Sequence, residues 1–140
     1  MDLGAALDAA RRRHQGVLVT LRRDGRPQLS NIVYAVDGAG TVRISVTDSR
    51  AKTRNLRRDA RATLYVPGDS FWSYLVLDGT ADLSPVAQAP DDPTVEELVD
   101  LYRSISGEHP DWAEYRSVMA DERRLVVRLR VARAYGIPPS

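Results

Sequence analysis

The hydrophobic residues of this chain change period several times, and each change marks an element. In residues 2–13, Leu3, Leu7 and Ala10 recur at helical spacing behind Asp2, which can cap a helix start, and Gly16 offers its end. From residue 17 the period drops to two. Val17, Val19 and Leu21 alternate with Leu18, Thr20 and Arg22, and Asp24-Gly25 follows as a hairpin signal. Residues 27–36 read as a second strand and "DGAG" as a turn. Val42, Ile44 and Val46, alternating with Arg43, Ser45 and Thr47, read as a third strand. The expectation is a three-stranded meander.

Residues 49–60 return to helical spacing, with Asp48 or Ser49 as N-cap. A strand over 61–66 and a turn at Gly68-Asp69 lead into a long strand through "WSYLVLDGTADL", where Gly79 predicts a bend or bulge. The proline-rich "SPVAQAPDDP" connects to a helix over 94–106. Val95, Leu98, Val99, Leu101 and Tyr102 lie on its apolar side, and Thr94-Val-Glu-Glu97 reads as a capping box. "GEHPDW" breaks it and a helix follows over 111–119. The last strand covers 123–131, with Leu125, Val127, Leu129 and Val131 on one face and Arg124, Arg128 and Arg130 on the other. Strands joined by tight turns outnumber helices. That order predicts a mainly β, α+β fold: a six-stranded antiparallel barrel with peripheral helices, one domain over residues 1–140.

Composition narrows the function. Net charge is +1, too balanced for a protein that lives on nucleic acid, so anion recognition has to be local. The absence of cysteine removes disulfides and thiolate chemistry, and His14 and His109 have no ligand-like spacing for a metal. No apolar run reaches membrane-spanning length and the N-terminus has no signal-peptide pattern. The expectation is a cytoplasmic protein with neither membrane nor nucleic-acid partner. Arginine dominates the basic residues, as in a GC-rich genome; Lys52 is the sole lysine.

That lysine lies in "SRAKTRNLRRDAR", which gathers six basic residues in thirteen positions. On a helix, Arg50, Arg54, Arg57 and Arg58 share one broad side, with Arg61 beyond the end. Ala51, Asn55 and Leu56 supply smaller contacts. Lys52 falls in the first turn, where the helix dipole disfavours a cation. A phosphate bound there would satisfy both the free N–H groups and the ammonium. The competing readings are a solvated basic face paired with Asp48 and Asp59, and non-specific nucleic-acid binding, which the lack of interleaved aromatics weakens.

Other segments carry two readings each. Ser30 and Asn31 put small polar groups in a strand, either to hydrogen-bond a flat ring or because that face meets solvent. Phe71, Trp72 and Tyr74 either stack on a ring or close a dimer, or pack in a core. Arg124, Arg128 and Arg130 face an anionic tail or simply water. No nucleophile elbow, phosphate-binding glycine loop or dinucleotide fingerprint is present. An enzyme built on this chain therefore needs a cofactor for the hard chemistry.

Four stretches, "DGRPQLSNIVY", "SRAKTRNLRRDARATLYV", "WSYLVLDGTADLSP" and "TVEELVDLYRSISGEHPDWAEYR" leading to "YGIPP", make the chain similar to a known group. It resembles the split β-barrel flavin/deazaflavin oxidoreductases of the pyridoxamine 5'-phosphate oxidase superfamily, above all small mycobacterial and other actinobacterial enzymes that bind coenzyme F420. The resemblance implies the FMN-binding split-barrel fold and a symmetric homodimer with two cofactors at its interface. It further implies that Arg50, Ala51, Lys52 and Asn55 hold the cofactor phosphate, and that Pro27, Gln28, Ser30 and Asn31 border the ring. Ser45, Val46 and Thr47 would contact the ring or its polyol chain. Trp72, Ser73 and Tyr74 would come from the partner subunit.

F420 and FMN both carry a ring, a polyol and a phosphate, and F420 adds an oligoglutamate tail. The surplus arginines Arg54, Arg57 and Arg58, with the strand arginines, suit that tail. The resemblance thus implies an F420-dependent oxidoreductase that passes a hydride to a conjugated, enone-like or biliverdin-like small molecule. The alternatives are an FMN-dependent enzyme on the same fold and a non-catalytic F420 carrier. No proton donor or other catalytic side chain is identified.

Overall fold

A computed structural model describes residues 1–138; Pro139, at the end of "YGIPP", lies outside the described residues. Helix α1 (Leu3–Arg11) is capped by Asp2, whose carboxylate accepts the Ala5 N–H at 3.0 Å. It buries Ala6, Ala9 and Ala10, and ends at Arg12; Gly16 lies in the next strand instead. A Cβ at Gly16 would meet the Tyr65 carbonyl at 2.7 Å, so this glycine permits close strand approach.

Strands β1 (Gln15–Leu21) and β2 (Pro27–Val33) form the hairpin that Asp24-Gly25 predicts, with Gly25 at φ 86°. The second strand then stops short. Tyr34 donates its N–H to the His14 carbonyl and its hydroxyl to the Ala10 carbonyl (2.7 Å), and β3 (Ala35–Val36) turns off to pair with β4 (Thr41–Thr47). The expected meander is therefore absent: β4 pairs along its length with the last strand, not with β2.

Helix α2 (Ala51–Arg58), β5 (Arg61–Pro67) and β6 (Tyr74–Leu83) follow, the last with a register shift at Asp78/Gly79 where the bulge was expected. A Cβ at Gly79 would overlap the Arg130 carbonyl, which fixes glycine there. Helix α3 (Pro93–Ser106) is capped by Asp92, whose carboxylate accepts the Val95 N–H at 2.9 Å. The capping box at Thr94 is not formed. Pro93 occupies the first turn, Thr94 donates to the Pro85 carbonyl, and Glu97 reaches arginines on the sheet. Helix α4 (Trp112–Asp121) precedes β7 (Arg124–Ile137), which runs six residues beyond the predicted end at residue 131.

The described residues form one seven-stranded antiparallel sheet, ordered β2-β1-β5-β6-β7-β4-β3, in place of six strands. It curls into a half-open barrel with helices around it, the split-barrel type. Leu18, Leu64, Leu75, Leu77, Leu125, Val127, Leu129 and Ile44 fill the interior, and α1 and Tyr34 plug one end. A smaller core of Val95, Leu98, Val99, Met119 and Val126 joins α3 and α4 to the outside of β7.

The register also defines an uncovered face. Leu29 and Val33 of β2, Val17 and Val19 of β1, Tyr65 of β5, Tyr74 of β6, and Tyr135 and Ile137 of β7 all point to the same outer side. Leu29, Val33, Tyr135 and Ile137 are exposed, as are Phe71 and Trp72 in the turn before β6. Beta-1 is apolar on both faces because this second face belongs to an open sheet.

Candidate functional site

The two halves of the barrel do not close on each other. In β2, the Tyr34–His14 and Arg22–Arg26 bonds turn the backbone groups of even-numbered residues toward β1. Those of Leu29, Asn31 and Val33 consequently face the open edge. In β4, the Asp48 N–H donates to the Arg123 carbonyl and the Asp37 N–H to the Thr41 carbonyl, so odd-numbered residues turn away from β7. Pairing with β3 ends at Arg43, which leaves Ser45 and Thr47 directed into the gap. The split is thus bordered by two strand edges that do not pair with each other, although the Thr47 carbonyl accepts from the Arg50 N–H and the Thr53 hydroxyl.

A groove of about 280 Å³ occupies this split, lined by Asn31, Ile32, Val33, Ser45, Val46, Thr47, Arg50, Lys52 and Arg124. Helix α2 enters it from one end. Its N-cap position is Arg50, whose side chain makes no capping bond. Neither expected cap serves: Asp48 turns instead to Arg57 (2.6 Å) and Arg123 (3.4 Å), with Arg57 first in holding its carboxyl below the usual range. Thr53, in the first turn, donates to the Thr47 carbonyl.

The basic run divides in two. Arg57 pairs with Asp48, Arg61 pairs with Asp59 at 2.7 Å, and Arg58 donates to the Leu21 carbonyl and to Asn55 Oδ1. The reading of a solvated, paired face holds for Arg57 and Arg61. Among the described residues, Arg50, Lys52 and Arg54 have no carboxylate within ion-pair distance. Lys52 is only 8% exposed, and no hydrogen-bond partner is found for its ammonium among the described residues. Burial, followed by the neighbouring Arg50 and Arg124 guanidiniums, pushes its pKa below the ordinary lysine value. A partly desolvated cation among cations stabilises nothing by itself. It is compensated when an anion enters the groove.

Of the residues expected at a site, Asn31, Ser45, Val46, Thr47, Arg50 and Lys52 are brought together in the groove lining. Ala51 is exposed at the start of α2. Gln28, Ser30 and Asn55 turn inward to a hydrogen-bond chain: Asn55 donates to Thr20 Oγ1 (3.1 Å), Thr20 to Gln28 (3.2 Å), and Gln28 to Ser30 (3.2 Å). That chain ties α2 across β1 to β2 and steadies one wall. Pro27 is exposed at the far end of β2. Trp72, Ser73 and Tyr74 stand three strands away from β2 in the sheet order and do not line the groove of their own chain.

Arg124 is the main residue that pattern reading left vague. It stands opposite Thr47 in the β4–β7 register and reaches Ser45 Oγ at 3.4 Å. Arg128 and Arg130, grouped with it in the sequence, are committed elsewhere. Arg128 binds Glu97 and Asp82, and Arg130 binds Asp82. Ile32 and Val33 complete the apolar part of the lining.

A buried, uncountered cation beside free strand edges is the donor set for a ligand with an anionic end and a flat, hydrogen-bonding body. Over residues 3–137 the sequence matches the pyridoxamine 5'-phosphate oxidase family. The structure is similar to that of an F420 reductase, with a TM-score of 0.70 and 25% identity, covering 91% of this chain and 94% of that one. It is also similar to a conserved hypothetical protein from Mycobacterium tuberculosis (TM-score 0.71, 24% identity, 96% of this chain and 82% of that one). A heme storage protein from Vibrio cholerae shares the fold (TM-score 0.68, 15% identity, 97% and 95% coverage). Neither histidine of this chain lines the groove. His14 Nδ1 bonds the Tyr34 carbonyl, and His109 packs against Tyr102, Trp112 and Tyr115.

Proposed function

This chain belongs to the pyridoxamine 5'-phosphate oxidase family, and from that premise we propose that it is an F420-dependent oxidoreductase acting on a conjugated small-molecule acceptor. The observation that carries the reading is Lys52, buried without a counter-ion at the mouth of α2 and flanked by Arg50 and Arg124. The chemistry that F420 supplies when bound is hydride transfer from C5 of its reduced ring to an electrophilic carbon.

The chain's own part is binding and orientation. Lys52 and Arg50 take the phosphate, with the free N–H groups of the first α2 turn beside them. Asn31 and Val33 on one side, and Ser45 on the other, offer edge donors and acceptors to a flat ring between them, and Thr47 offers its N–H. Arg124 guards the open end. Arg54, exposed and without a carboxylate partner, is the residue left for a carboxylate tail. The commitment of Arg128 to Glu97 removes it from that role.

A second copy of the chain belongs on the uncovered sheet face. That face exposes Leu29, Val33, Tyr135 and Ile137, of which Val33 lines the groove, and Ser73 Oγ, in the turn before β6, is buried without a partner among the described residues. A symmetric homodimer would cover the apolar surface and bring the partner's Trp72 and Tyr74 toward the ring. Light scattering of the purified protein tests this. A dimer is expected, and Leu29→Lys should shift it toward monomer with loss of cofactor affinity; a monomer at micromolar concentration refutes the arrangement.

FMN is the second reading, because the split offers a phosphate site and a ring slot to either cofactor. Parallel titration of the apoprotein with F420 and FMN separates them, with the tighter ligand expected to be F420. Turnover of a conjugated acceptor by the loaded protein then separates an enzyme from a carrier: no consumption of reduced F420 with any acceptor favours the carrier.

A further inference from the structure

The groove holds the chain's sole lysine as a solitary amine inside a cationic cradle. Arg50 and Arg124 line the same groove, Arg124 also pairing with Glu122 at 2.9 Å, and among the described residues no carboxylate is within ion-pair distance of the amine. Asp48 faces away, toward Arg57 and Arg123. An arriving dianion finds two guanidiniums to bind it and a neighbouring nitrogen with no competing partner. Burial and the two arginines also favour the neutral, nucleophilic form of that nitrogen over what a surface lysine offers.

We propose that Lys52 is a site of direct acylation by small acyl phosphates, which the groove binds through their phosphoryl group. Arg50 and Arg124 hold the phosphoryl oxygens while Lys52 Nζ attacks the acyl carbon. A C–N bond forms, the C–O bond to phosphate breaks, and inorganic phosphate leaves with its charge stabilised by the same two guanidiniums. The amine gives up one proton to solvent. No oxidant, metal or second enzyme is required. The product amide is neutral, so acylation erases the anchor for a cofactor phosphate and acts as an off-switch on the groove. The inference rests on the groove as an anion site but not on the identity of the cofactor.

The test uses the folded chain and acetyl phosphate at neutral pH, read by intact mass and peptide mapping. The chain's α-amino group is the internal reference, since α-amines as a class are more often neutral at neutral pH than lysine side chains. Acetylation of Lys52 is expected to outpace that of the α-amino group by roughly tenfold, against the reverse order for an unperturbed lysine. Inorganic phosphate should suppress it in proportion to occupancy. Arg124→Gln should slow Lys52 alone. Acetic anhydride, which carries no phosphoryl group to dock, should lose the preference for Lys52 over the α-amino group. Preferential labelling of the α-amino group, or labelling of Lys52 indifferent to phosphate, overturns the proposal. F420 and FMN binding measured on the same preparation keeps the two readings apart. Binding without acylation sinks only the acylation, and acylation without binding of either cofactor sinks only the cofactor reading.

Discussion

Replacing Lys52 with methionine keeps the buried stem and removes the charge. Two effects of opposite sign follow. Lys52 is 8% exposed before any ligand arrives, so part of its hydration is already lost on folding, while the ammonium itself still meets the open groove. A phosphate then gains the attraction without that cost. A hydrogen bond to a charged group contributes about 1.5–3 kcal/mol. Lys52→Met should accordingly weaken binding of a phosphate-bearing ring cofactor by roughly 10- to 150-fold. Riboflavin, which shares the FMN ring but has no phosphate, should bind mutant and wild type alike. Meanwhile the ligand-free variant should melt at a higher temperature, because it no longer buries an ammonium beside Arg50 and Arg124. The advantage is full below the lowered folded pKa of Lys52. It fades as pH rises toward 10.5, where the unfolded lysine also loses its proton. Fluorescence titration and thermal melts across pH read both effects. Unchanged affinity for FMN and F420, or a lower melting temperature in the ligand-free variant, would refute the reasoning.

Glu97 receives Arg43 and Arg128 on the outside of the sheet and is 16% exposed, while both arginines are 30% exposed. Glu97→Ala should cost about 2–4 kcal/mol in urea melts, less than a fully buried pair because solvent screens the arginines. Alkaline pH should destabilise the fold. Burial pushes the Tyr34 hydroxyl upward and Tyr115 up to about 12, and both donate to carbonyls, of Ala10 and Leu98. Their contribution is complete below 10.0 and is lost as pH rises toward the folded values. Tyr115→Phe should flatten part of that decline in a pH series of denaturant midpoints.

Local periodicity carried the elements further than their pairing. Val42, Ile44 and Val46 were legible as one buried face because a period of two needs no knowledge of neighbours. That β4 pairs with β7, and not with β2, depends on Tyr34, whose two hydrogen bonds to His14 and Ala10 swing the chain away at Val33. Beta-7 outran its predicted end because Arg133 and Gly136 interrupt the hydrophobic pattern, although they face the same open side as Tyr135 and Asp78 or fit a close strand approach. At the site, Lys52 broke a helix-dipole rule and was visible for that reason. Arg124 was not, because its place opposite Thr47 is set by a register spanning the whole chain. Asn55 and Gln28 carried the right chemistry for ligand contact, yet Thr20, a hydroxyl in a core position, draws both into the wall.

The structure of the complex with F420 tests the central claim most directly. Its phosphate should lie within hydrogen-bond reach of Lys52 Nζ, about 2.7–2.9 Å, with the ring between the edges of β2 and β4. A phosphate bound elsewhere, with Lys52 untouched and the split unfilled, would contradict it.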